Sequence, residues 1–370
     1  MGTVWHSFSG IPRTAGLVVK YVDNRQEGPL ASPALTTIPV SFQEFNMQGM
    51  SESELLRLCS DKNVQRSRII PYWTADIYGF GKYIRAYGYY PKFLPLCIYT
   101  DHGPSSQDYP SEHELNSDAP CQFYHSPKSV KEWKKVSSKP CFVLYSPFVY
   151  YRRNNYINKS ANATGTLAFP AHSTPSIDDI SNVELYIKQL LDLPSEFQPV
   201  SVCLHMHDIK KDRHKLFLKH NIPIYTAGNT LDDRFVERFY DILKNFSFAT
   251  SNMIGSYTYY AVEMGIPFFT FGNKQVFINT GDPNVTIGEY DPYKESPSYR
   301  TLYDMFNGLH TKITPEQRDL IETDLGLRDG ISRIKMSYVL YVSFFKWMIS
   351  TAGLKYISDG MRRKLQLLLS

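Results

Sequence analysis

From about residue 164 the chain alternates short apolar runs with amphipathic stretches at helical spacing, a pattern that calls for βαβ units around a parallel sheet. The predicted strands are Gly165–Phe169, Val200–His205, Ile222–Tyr225, Phe246–Thr250 and Pro267–Phe271. Between them Val183, Ile187, Leu190 and Leu191 recur at helical spacing, as do Leu231, Phe235, Phe239 and Ile242. The acidic pairs Asp178-Asp179 and Asp232-Asp233 suit the positive ends of those helices. The first half is less regular. Strands are predicted over Leu17–Val22, Arg68–Tyr72, Leu94–Tyr99 and Cys141–Tyr145, and helices over Ser51–Cys59, Ala75–Tyr87 and Ser126–Lys135, which makes a second α/β unit with long aromatic loops. Asn154–Thr164, reading NNYINKSANAT, has no periodicity and reads as a linker. Ile331–Leu369 reads as two helices. The 370 residues divide into an α/β domain over 1–153, the linker 154–164, an α/β domain over 165–330 and C-terminal helices over 331–370, as roughly 100–200 residues per domain predicts.

Composition removes several classes. Forty Lys and Arg against 36 Asp and Glu leave +4, too little over this length for a nucleic-acid binder recognised by charge. No run approaches the length of a membrane span, and the first residues lack the pattern of a signal peptide. Cys59, Cys97, Cys121, Cys141 and Cys203 are widely spaced with no C-x-x-C pair, which points to thiols in a reducing cytosol. The localisation expected is cytoplasmic. Aromatic residues, at 14%, are in surplus.

Ligands of an open parallel sheet bind beyond the carboxyl ends of its strands. The loops there are Pro170–Pro175 with His172, Ser173 and Thr174; Met206-His207-Asp208; Thr226–Thr230 with Gly228; and Ser251–Thr258. In the last, Gly255 permits close backbone approach, and Ser256 and Thr258 bring hydroxyls to a helix start whose free N–H groups attract phosphate. Ser256 acting only as a helix cap is the alternative. His205, His207 and Asp208 are ligand types for a metal, and 205 and 207 fall on one face of an extended segment.

ATSNMIGSYTYYAVEMGIPFFTFG resembles the donor-binding strand, loop and helix of GT-B glycosyltransferases. With GTLAFPAHST it resembles, more narrowly, glycosyltransferases of bacterial capsule and lipopolysaccharide gene clusters, over about residues 164–275. The resemblance implies two Rossmann-like domains in the GT-B manner with C-terminal helices. It also implies a nucleotide-sugar donor as co-substrate with no other cofactor, and a glycan or lipid-linked glycan acceptor. The donor would be held by His172, Ser173, Thr174, His207, Gly228, Ser251, Asn252, Gly255, Ser256, Tyr257 and Thr258, with Glu263 as the acidic residue toward the ribose. Many GT-B enzymes place that Glu five residues before the Gly of a G-x-P turn, where this chain has Tyr260; Glu263 stands two before Gly265. His207 occupies the place of a phosphate-binding His-Pro pair in sialyltransferase-like and polyol-phosphate-transferase enzymes, without the proline.

In the first half, Tyr99-Thr100-Asp101-His102-Gly103-Pro104-Ser105 follows an apolar run and is similar to the His-Gly turn of polyol-phosphate polymerases. His102 is the candidate general base, its ordinary pKa near 6.5 suiting that work, and Asp101 the residue to orient it; a surface-turn histidine is the alternative. His113 and His125 read as more exposed and receive no role. Lys128, Lys131, Lys134, Lys135, Lys139, Arg152 and Arg153 stand against Glu132 alone in 126–153. In the tail, Arg362-Arg363-Lys364 precedes Leu365, Leu367, Leu368 and Leu369. Such stretches lie on an anionic membrane at its inner face, or else form a solvated helix face and a packed terminus. The reaction implied is glycosyl transfer to a hydroxyl of a surface glycan. Polyol-phosphate transfer from a CDP-glycerol-like donor and non-enzymatic binding of glycan or nucleotide are the alternatives.

Overall fold

The computed structural model describes residues 45–66, 70–104, 110–282, 287–351, 353–355 and 358. The strand expected at Leu17–Val22 and the basic, leucine-rich tail Met361–Leu369 lie outside them. The described chain begins with α1 (Glu52–Cys59), capped by Ser51, which accepts from the Glu54 N–H at 3.3 Å. Two 3-10 turns, Trp73–Ala75 and Ile77–Gly79, lead into α2 (Phe80–Tyr87). Then come β1 (Tyr99–Thr100), α3 (Glu112–Leu115), β2 (Gln122–Tyr124), α4 (Pro127–Val136), β3 (Cys141–Val143) and α5 (Pro147–Asn154). β1, β2 and β3 pair in that order, all parallel.

The second half runs through β4 (Thr166–Ala168), β5 (Ile177–Asp179), α6 (Val183–Leu191), β6 (Val200–Cys203), α7 (Met206–Lys210), α8 (His214–Lys219), β7 (Ile224–Tyr225), α9 (Phe235–Leu243), β8 (Phe248–Ser251), α10 (Ser256–Glu263) and β9 (Phe268–Thr270). Its main sheet has the order β7-β6-β4-β8-β9, parallel throughout. Because the first strand, β4, lies between β6 and β8, the chain winds away from it in both directions, which makes the carboxyl ends of β4 and β8 the switch point of the sheet. β5 pairs instead with β10 (Phe277–Asn279), which pairs with β11 (Gly288–Tyr290), both antiparallel. α11 (Pro292–Glu295), α12 (Pro297–Phe306), α13 (Pro315–Asp324) and α14 (Arg333–Met348) follow. The α/β class, the parallel sheets and the C-terminal helix are as the sequence predicts.

Several local readings change. Ile70–Tyr72 is not strand, and the apolar run from Leu94 gives only the two residues of β1. Asp178 and Asp179 lie in β5 rather than opening a helix, and Asp179 is held by Arg213 at 3.1 Å.

Each half is completed by distant chain. α1 packs on the second sheet: Met50 N–H bonds the Ile224 carbonyl at 2.8 Å, and Leu55 and Cys59 join the core of Ile187, Val202 and Phe217. The C-terminal chain returns to the first sheet, where Ile331 N–H bonds the Val143 carbonyl at 2.9 Å and Trp347 packs with Tyr72, Cys97 and Tyr99. Most of the aromatic surplus is spent inside. Phe148 of α5 stacks on Tyr260 of α10 at 4.2 Å, with Tyr78, Phe80, Phe235, Phe239 and Tyr240 around them. Beside this seam Glu263 is buried, receiving Arg152 Nε and Nη2 at 2.7 and 2.6 Å and Arg153 Nε at 2.9 Å.

Candidate active site

The end of β1 is sutured on both sides. Thr100 donates its N–H to Thr74 Oγ1 (3.3 Å) and its hydroxyl to the Thr74 carbonyl (3.1 Å), while Asp101 N–H bonds the Phe123 carbonyl at 3.0 Å. The Asp101 carboxylate serves a partner other than the expected His102. It accepts the His125 backbone N–H at 2.9 Å and bonds His125 Nδ1 at 2.6 Å. His125 is fully buried, contrary to its exposed reading, because it continues β2 into the interior. Its Nε2 has no hydrogen-bond partner among the described residues. The Asp101–His125 pair thus clamps the strand ends beneath the turn and leaves His102 free.

His102 itself opens to solvent. The surrounding protein nevertheless solvates a charge poorly and lowers the imidazole pKa from its ordinary value; the Asp101 charge opposes that shift and the nearby His113 and His125 add to it. The shift favours the neutral ring, which carries a lone pair. Trp73, 51% exposed, stands 6.0 Å from His102 and 6.2 Å from His113, centroid to centroid. His113 is fixed by Tyr99 Oη at 2.8 Å from its Nδ1.

The next two residues reach the second sheet. Gly103 has φ +149°, a conformation that favours glycine, and a Cβ there would fall 2.7 Å from Ser256 Oγ and displace that hydroxyl. Ser256 Oγ donates to the Pro104 carbonyl at 3.3 Å. The turn bearing His102 thereby meets the N-terminus of α10.

Most of the other residues expected at the donor build that rim. Ser251 donates to the Phe169 carbonyl at 2.5 Å and accepts from Met253 N–H at 3.1 Å. Asn252 accepts from Ala171 N–H at 3.0 Å and donates to the Asn273 carbonyl, locking the loops after β4 and β8 together. Tyr257 stacks on Phe169 at 4.7 Å, reaches Ser251 Oγ at 2.8 Å, and covers Gly255 so closely that a Cβ there would sit 2.7 Å from its ring. Thr258 is buried and holds the Gly255 carbonyl through its N–H at 3.0 Å. Ser173 is buried with Asp179, Asp208 and Arg213, and Thr174 Oγ1 accepts Ile177 N–H at 3.1 Å. Gly228, at φ +88°, is packed against Leu58 of α1. Glu263, expected at the ribose, is enclosed by its two arginines.

His172 and His207 belong to a cluster the expectation only half contained. His172 stacks on His205 at 4.1 Å, and His205 lies 5.0 Å from His207. Burial, then the neighbouring imidazoles, pushes His205 well below the ordinary histidine range and His207 below it, the latter also through Lys210 and Lys211. Asp208 instead faces Arg213 at 3.3 Å.

Sequence reasoning missed Trp73, gave His113 and His125 no role, and weighed His205 only as a metal ligand. A Trp before the Thr74 that sutures β1 was the available signal for the first; the others depend on pairings distant in the chain.

No known protein family matches the sequence, and no curated protein does. Among solved structures the chain is similar to UDP-GlcNAc 2-epimerase of Methanocaldococcus jannaschii, in complex with UDP-GlcNAc and UDP, at 12% identity over 66% of this chain and 67% of that one, TM-score 0.36. It is similar to the wall teichoic acid polymerase TagF at 12% identity over 86% and 94%, TM-score 0.38. A UDP-GlcNAc 2-epimerase from Neisseria meningitidis bound to UDP-GlcNAc gives 11% identity over 64% and 65%, TM-score 0.33. Likeness at this level is one of chain path only.

Proposed function

We propose that the protein is a GT-B-type glycosyltransferase that moves a sugar from a nucleotide-activated donor to a hydroxyl of a bacterial surface glycan, capsule or lipopolysaccharide. One observation carries the reading: the His102-Gly103-Pro104 turn of the first sheet rests on Ser256, at the first turn of α10 in the second sheet. A neutral imidazole and a helix N-terminus suited to phosphate thus share one rim. The acceptor oxygen attacks the anomeric carbon as its proton passes to His102, and the bond from that carbon to the donor phosphate oxygen breaks. The charge left on the nucleotide is met by Ser256, the first amides of α10, and His172 and His207, preplaced donors that stabilise it without rearrangement. Neither a metal nor a resident cofactor enters this scheme; the nucleotide sugar is consumed as co-substrate. The exposed face of Trp73 beside His102 is a platform for the acceptor. The enzyme works in the cytoplasm, at the inner membrane face when its acceptor is lipid-linked.

The test is a thermal-shift screen of nucleoside mono- and diphosphates. A ligand that binds only the folded chain stabilises it by about 2.7 kcal/mol at one hundred times its Kd, so one base family should raise Tm in a concentration-dependent way. No response to any nucleotide would refute the reading. Phosphodiester bonds in the product of the responding donor would redirect it to polyol-phosphate transfer.

A further inference from the structure

α14 is apolar on two opposite sides. Met336, Val339, Leu340 and Trp347 are buried, turned toward the first sheet. At 3.6 residues per turn, Ile334, Tyr338, Phe345 and Ile349 fall within about 60° of one another on the other side. They are 82%, 68%, 63% and 80% exposed. A helix on the surface of a water-facing protein turns polar residues outward; this one turns out a stripe of large hydrophobic side chains continuous over four turns.

The charges that this stretch of chain itself carries have one sign. From Gly330 to Ser358 the sequence contains no Asp or Glu, while it contains Arg333, Lys335, Lys346 and Lys355. Lys335 and Lys346 are exposed along one edge of the stripe. Among the described residues no helix is long and apolar enough to cross a membrane. We infer that the outer face of α14 is a docking surface for an anionic lipid bilayer, the helix lying in the plane of the headgroups. A bilayer complements both parts of this face: acyl chains receive the stripe, and lipid phosphates meet the lysines. A second copy of the chain would offer another lysine-edged face without carboxylates and leave those cations unmatched. Docking would bring the first sheet toward the lipid, because Trp347 on the inner side of α14 packs on Tyr99 of β1, the strand that leads to His102. The inference goes beyond the proposed reaction and does not depend on it.

The experiment is co-sedimentation of the full chain with vesicles of phosphatidylcholine alone or with 30% phosphatidylglycerol, at low and high salt, beside the double variant Phe345→Glu, Ile349→Glu. Both positions are exposed, so the variant should keep its Tm. The intact chain should pellet with anionic vesicles, less at high salt, and the double variant should lose at least tenfold in partitioning. Lys335→Gln with Lys346→Gln should weaken binding and flatten its salt dependence. Absence of pelleting, equal pelleting with neutral lipid, or equal binding by the double variant would overturn the inference. A dimer in solution that the double variant dissociates would assign the face to a second copy instead. Nucleotide-induced stabilisation, measured on the same samples, tests the reaction separately.

Discussion

At the scale of single residues, the site rests on a division of labour between neighbours. Asp101 is committed to His125, which leaves His102 available for the base role proposed for it. His102→Ala should therefore lower turnover by about 10²–10⁴-fold, the usual size of general-base catalysis, with nucleotide-induced stabilisation unchanged; a variant retaining most of its activity would remove His102 from the mechanism. The pH profile gives a second reading. The base must be neutral, so activity falls as pH drops through the His102 pKa. The poorly solvating protein around the ring lowers that pKa, and the acid limb of kcat/KM should lie below that of an ordinary histidine. The Asp101 charge works in the opposite direction, holding the pKa up. Asp101→Asn should move the limb to still lower pH, at a cost in stability from the disturbed His125. None of this division was legible in the residue string: Asp101 next to His102 suggests a pair, whereas the pairing with His125 depends on β1 lying beside β2.

At the scale of elements, legibility follows burial. β4, β6, β8 and β9 are parallel and almost wholly buried, built from apolar residues with small hydroxyl side chains between them, and their sequences announce them. β1 has two residues, β2 carries a fully buried Gln122, and β5 contains two aspartates whose charge is met by Arg213 and Lys211. Such strands are made by their neighbours, and no local pattern reveals them. The loop before α10 was legible as a glycine turn, but the use of its glycine was not, because the ring of Tyr257 folds back over Gly255. Gly255→Val must expel that ring from Phe169 and Ser251. It should lower stability by about 1–3 kcal/mol, the usual cost of overpacking, and abolish the nucleotide-induced rise in Tm. Ser256→Ala removes only the hydrogen bond to the Pro104 carbonyl, and should weaken nucleotide binding with a loss of about 1 kcal/mol or less in stability without ligand. If Ser256→Ala binds nucleotide as the unaltered chain does, the hydroxyl only closes the cleft against Pro104.

At the scale of the whole molecule, the two sheets are joined by an aromatic seam and by one buried carboxylate shared between two arginines. Removing one partner of a buried ion pair costs about 3–5 kcal/mol, because the remaining charge is left uncompensated. Glu263→Gln should show that loss in urea unfolding, with the midpoint lowered; a variant as stable as the parent would mean that the arginines find solvent instead. The crossing of the chain between sheets has a further consequence, in the order of synthesis. The second sheet has α1 available before any of its own strands is made. The first sheet, though made earlier, lacks the cover of Met336, Leu340 and Trp347 until the helix carrying them has left the ribosome. A nascent chain that has reached β9 holds a nearly complete second sheet and a first sheet still open on one face, so chaperone contacts and proteolytic cuts in unfinished chains should concentrate between β1 and β3.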